Sequence, residues 1–69
     1  MLEVDARGLS CPLPLMRAKQ AIAESPGELA VLVDSGAAKA NVQHMLADEG
    51  YAVTVRDGAD GFRIEAKRA

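Results

Sequence analysis

Nucleophilic chemistry in this chain has one obvious seat, the sulfur of Cys11, within the run Asp5-Ala6-Arg7-Gly8-Leu9-Ser10-Cys11-Pro12-Leu13-Pro14. The two prolines read as the start of a helix. With Cys11 as N-cap, Pro12 is the first helical residue and Pro14 the third, and neither position needs an N–H for an intrahelical bond. Moving the cap to Ser10 places Pro14 fourth, where the first helical hydrogen bond is lost. Pro12 also turns Cys11 away from helical angles, as a cap requires, while Pro14 puts the same bias on Leu13 inside the first turn.

This register sets the sulfur at the positive end of a helix and at the C-terminal side of the preceding strand, where open α/β sheets place their sites. The dipole activates it only mildly. A helix end favours a partly exposed negative charge by about 0.3–1 kcal/mol, and a tenfold change in ionisation takes about 1.4 kcal/mol, so a thiol with an ordinary pKa of roughly 8.5 stays mostly protonated at neutral pH. Further help has to come from Arg7, Lys19 or a partner. The competing reading is a small buried hydrophobe, the common fate of a free cysteine, but a position between a loop and a Pro-x-Pro helix start argues for exposure.

Neighbouring residues carry a functional and a structural reading side by side. Asp5 either orients the loop and repels anions near the sulfur or makes an Asx-type loop hydrogen bond. Gly8 supplies a positive φ that shapes the loop. Arg7, Arg17 and Lys19 either favour the thiolate and steer a partner or belong to scattered surface charge. Leu9, Leu13 and Leu32 are contact points or packed residues. Met16 and Met45 read as core filler, and His44 as a solvated side chain rather than half of a Cys–His dyad.

Composition narrows the classes. The 69 residues fit one domain, 1–69, with a small aliphatic core whose only aromatics are Tyr51 and Phe62. A single cysteine and a single histidine exclude a disulfide or a structural Cys/His metal site within one chain, and no cofactor or metal is expected. The net charge of −2 shows no basic cluster, so direct nucleic-acid binding is not expected. The N-terminus has neither a basic nor an apolar targeting region, and no apolar run spans a bilayer. The expected location is the cytoplasm, where a lone thiol stays reduced.

The elements follow from periodicity. Leu2 and Val4 alternate with Glu3 and Asp5 as a short strand. Leu15, Ala18, Ala21 and Ile22 recur at helical spacing up to Ser25-Pro26-Gly27. Leu29 to Val33 is a continuous apolar run, the most buried-looking strand in the chain, and takes a central place in the sheet. Asp34, Ser35 and Gly36 start a second helix with Ala38, Val42, Met45, Leu46 and Glu49 on one face, ended by Gly50. Tyr51, Val53 and Val55, then Phe62, Ile64 and Ala66, form the inward positions of two strands joined across Asp57 to Gly61. The order is βαβαββ. Two helices cover one face of a four-stranded sheet, giving an α/β two-layer sandwich with the first three strands parallel and the last antiparallel, and with Ala30 and Leu32 as apolar exceptions on the open face.

The pattern Asp-x-x-Gly-x-x-Cys-Pro-x-Pro, here Asp5, Gly8, Cys11, Pro12 and Pro14, resembles the signature of the TusA family of sulfur-carrier proteins, which includes SirA and YedF. The run Asp34 to Val42 is most similar to the YedF-type branch. The resemblance implies a fold similar to the C-terminal domain of translation initiation factor three. It also implies that Cys11 accepts sulfane sulfur as a persulfide from a cysteine desulfurase or rhodanese-type donor and relays it to a DsrE-like or other acceptor protein. The pathways it leaves open are transfer RNA thiolation, cofactor sulfuration, and sulfur or selenium metabolism. Leu13 stands where some relatives carry Glu, which puts an acid/base role there in doubt. The alternative is a non-catalytic regulatory or protein-interaction module on the same fold.

Overall fold

The computed structural model describes residues 2–10, 12–24 and 26–68. Six elements follow one another as β1 (Leu2–Asp5), α1 (Leu13–Ile22), β2 (Glu28–Val33), α2 (Gly36–Asp48), β3 (Tyr51–Gly58) and β4 (Gly61–Arg68). The sheet order is β1-β2-β4-β3. β1 runs parallel to β2, and β4 runs antiparallel to both β2 and β3, so the expected βαβαββ mixed sheet is present.

Alternation along β2 sends Leu29, Val31 and Val33 toward the helices, and register places them beside Ala66, Ile64 and Phe62 of β4. These side chains meet Ala18 of α1 and Val42, Met45 and Leu46 of α2 in one cluster, where Leu29, Val31, Val33, Val42, Leu46 and Ile64 are fully buried. Ser35 caps α2 by accepting the Ala38 N–H at 3.1 Å, and Gly50 leaves the helix at φ 93°. Tyr51 is buried at the start of β3 and its hydroxyl donates to the Pro26 carbonyl at 2.9 Å.

Several expectations need correction. Ala30 points to the helix-free face, yet it is fully buried. Its register neighbours are Glu3 on β1 and Glu65 on β4. Arg63 on β4 reaches across β2 to Glu3 at 2.8 Å and also binds Glu65 at 3.0 Å, and Arg56 on β3 binds Glu65 at 2.8 Å. Long charged side chains thus roof a small one. The two arginines hold the Glu65 carboxyl below its ordinary range, Arg63 contributing most, and Glu3 with Glu65 raises Arg63.

Leu2 is exposed because β1 is an edge strand. Met16 is half-exposed rather than core, and Glu49 is exposed as the C-cap of α2. The final hairpin is tighter than the five-residue turn read from sequence, since Gly58 pairs with Gly61 across Ala59-Asp60.

Leu46→Ala leaves a cavity in the cluster between α2 and the sheet, and is expected to cost about 2–5 kcal/mol. Small domains hold only about 5–15 kcal/mol in total, so the urea midpoint falls sharply. An unchanged midpoint would contradict this placement of the core.

Candidate functional site

Cys11 lies outside the described residues; the segments on either side of it are described in detail. Parallel pairing of β1 with β2 continues one step past Asp5, where the Ala6 N–H donates to the Leu32 carbonyl at 2.8 Å and Ala6 is fully buried. Two residues on, Gly8 adopts φ 78° and its N–H donates to Asp34 Oδ2 at 2.6 Å. No atom lies within 4 Å of where a Cβ would stand on Gly8, so glycine is required there by conformation and not by space. Leu9 then packs its side chain against the core, and the Leu13 N–H donates to the Ser10 carbonyl at 2.9 Å. The loop before Cys11 is therefore held at Ala6, Gly8 and Leu9, and a turn closes between Ser10 and Leu13.

That closure moves the helix start. The first helical bond runs from the Met16 N–H to the Pro12 carbonyl at 3.1 Å, which makes Pro12 the N-cap and Pro14 the second helical residue. The cap falls one residue later than the Cys11 cap read from sequence, because the Ser10–Leu13 turn already satisfies the Leu13 N–H. Pro14 remains harmless, since its position needs no donor. Pro12 has no side-chain acceptor, and no acidic residue lies in the first turn of α1.

The proposed supporting residues divide into separate groups. Asp5 and Arg7 form a local unit: the Arg7 N–H and Nε reach Asp5 Oδ1 at 3.1 and 3.0 Å, and Nη2 reaches Oδ2 at 2.9 Å. The Asx-type reading of Asp5 is therefore correct, and the Arg7 guanidinium is committed to that carboxylate. Arg7 also borders a depression of about 330 Å3 on the open face, with Leu32, Arg56 and Arg63. Leu13 and Arg17 share one exposed side of α1 with Met16, whereas Lys19 lines the groove toward α2 beside His44, Asp48 and Glu49. Pro14 is buried and Pro12 exposed.

Asp34 was missed as a loop residue because it reads as helix-start chemistry. Ser35 does the capping, while the Asp34 carboxylate serves the loop. The available signal was positional: parallel strands that end together, Asp5 opposite Leu32, bring the residues that follow them into reach.

The hydrogen bonds from Arg7, side chain first and backbone N–H second, bring the Asp5 carboxyl down to about 2 from 3.8. A carboxyl with a lower pKa folded than unfolded adds stability above the unfolded value and loses it as pH falls through the folded one. Thermal unfolding midpoints are thus expected to drop between about pH 4 and pH 2. Asp5→Asn flattens that drop in part, because Glu65 titrates in the same direction. Identical slopes for the two proteins would remove Asp5 from the account.

Among curated proteins, none matches the chain at a significant level. Among solved structures, a SirA-like protein from Desulfitobacterium hafniense superposes with a TM-score of 0.88 at 34% identity, covering 97% of this chain and 96% of that one. The family model described as sulfurtransferase TusA matches residues 2–68, a span that takes in the tethered loop, both prolines and all four strands. The chain belongs to the TusA sulfurtransferase family.

Proposed function

We propose that this protein is a sulfur carrier that receives sulfane sulfur on Cys11 and relays it to an acceptor protein. The observation that carries the reading is the tethering of Ala6, Gly8 and Leu9 immediately before the one thiol in the sequence, within the span matched by the family. A loop fixed at three points ahead of the thiol has less backbone freedom left to lose when a second protein docks.

The step balances without an added oxidant. The Cys11 thiolate attacks the terminal sulfur of a donor persulfide; the bond between the donor's two sulfurs breaks, its electron pair leaves with the donor thiolate, and Cys11 becomes the persulfide. The same exchange in reverse roles delivers the sulfur. A dithiol redox protein needs a resolving cysteine, and the sequence has none.

Donor and acceptor need a place to dock. Leu13 and Met16, 42% and 50% exposed, stand next to Arg17 on α1, a helix with two basic and no acidic residues in a chain of net charge −2. This surface suits an apolar patch with an acidic rim on a partner such as a cysteine desulfurase, a rhodanese or a DsrE-like protein. A cytoplasmic setting keeps the thiol reduced. Among the described residues no helix is long and apolar enough to cross a membrane.

Incubation with a persulfide-bearing desulfurase, read by intact mass, is expected to add one sulfur atom that reductant removes and Cys11→Ser abolishes. Arg17→Glu is expected to raise KM for the donor with little change in kcat, and the effect shrinks at high salt. Absence of any adduct with desulfurases and rhodaneses alike favours the interaction-module reading.

A further inference from the structure

We infer that Asp34 is a positioning residue for the Cys11 loop, and that Gly61 fixes Asp34 in place. The first half rests on the 2.6 Å bond from the Gly8 N–H to Asp34 Oδ2, which spans 26 residues of sequence. Among the described residues it is the side-chain hydrogen bond that ties the loop to the end of β2. Gly8 takes its left-handed φ of 78° where no neighbour crowds it. The turn therefore serves to aim the N–H rather than to avoid a clash. Helix capping does not account for Asp34, because Ser35 already supplies the acceptor for α2.

The second half rests on a close approach. Gly61 opens β4 at φ 133°, and a Cβ there would collide with the Val33 carbonyl oxygen and lie 2.8 Å from the Asp34 Cα. The β3–β4 turn is thus pressed onto the backbone that carries the carboxylate. A side chain at Gly61 has to push that backbone away, and Asp34 Oδ2 moves with it. Gly58, its partner across the turn, has no such constraint: a Cβ there makes an ordinary 3.6 Å contact with the Gly61 carbonyl oxygen.

The inference rests on the sulfur-carrier reading for its purpose, but its test has an arm that needs no sulfur chemistry. In the full chain, Asp34→Ala is expected to speed hydrogen exchange at the Gly8 amide by about tenfold or more. It is also expected to slow single-turnover sulfur uptake by Cys11 from a desulfurase persulfide, with KM for the donor little changed. Asp34→Asn keeps an acceptor oxygen and restores most of both. Gly61→Ala reproduces the Asp34→Ala exchange, and Gly58→Ala behaves as the unaltered protein. Ser35→Ala, which weakens α2 without touching the loop bond, leaves Gly8 exchange within its general loss of stability. Should Asp34→Ala not fold, Asp34→Glu carries the same expectation, since its longer arm misplaces the oxygen. Wild-type exchange and uptake in Asp34→Ala, or Asp34→Asn as damaging as Asp34→Ala, would overturn the assignment. If the unaltered chain takes up no sulfur, the carrier reading fails while the exchange measurements still decide the positioning.

Discussion

The burial of β2 on both faces is the constraint from which the rest of the structure hangs. Leu29, Val31 and Val33 are sealed by the helices, and Ala30 by charged side chains on the other face. Leu29 to Val31 and Val33 are shut off from water, so the strand satisfies its backbone through its neighbours β1 and β4. Its C-terminal end then becomes a fixed platform. The loop before Cys11 is pinned there through Leu32 and Asp34, and the β3–β4 turn is pressed against Val33 and Asp34 from the other side.

The open face shows how a small domain closes a sheet without a third layer. Among the described residues the two helices, α1 and α2, both contribute to the core on the other face. Arg63 instead lays its stem across β2 to reach Glu3, with Glu65 and Arg56 extending the row to β3. Exposed ion pairs add little individually, so the larger effect is the apolar stem shielding Ala30 while the charged heads stay in water. The arrangement also depends on a small residue at Ala30, because a longer side chain would stand where the bridge passes.

Element order, strand directions and the inward positions of β2, α2, β3 and β4, Glu49 at the end of α2 excepted, were legible from periodicity, because each of those elements has one decided environment on each face. Errors arose where tertiary position overrides local pattern. Leu2 alternates like a buried residue, but an edge strand leaves it exposed. Met16 looks like core filler, yet the apolar stripe of α1 narrows to Pro14 and Ala18 with Leu15, Ala21 and Ile22 beside them. The helix cap moved because a turn between Ser10 and Leu13 left no trace in residue types. At the site, Asp5 and Gly8 could be read because their partners are local or their conformation is intrinsic. Asp34 could not, since its partner is far along the chain and its neighbourhood has a sufficient local explanation.

The two sides of the motif differ in a way that suits a protein handing a reactive atom between partners. Upstream, every described residue from Asp5 to Leu9 is held by a side-chain pair, a backbone bond or core packing. Downstream, α1 begins without a side-chain cap and turns Leu13, Met16 and Arg17 to solvent. Rigidity on one side costs nothing at the moment of transfer, because it is built into the fold. Exposed apolar surface on the other side is a liability for a solitary protein and an advantage for one that must dock repeatedly and let go. A sulfur carrier gains from both, because the order ahead of the motif is present before a partner arrives and the exposed side of α1 stays open to contact.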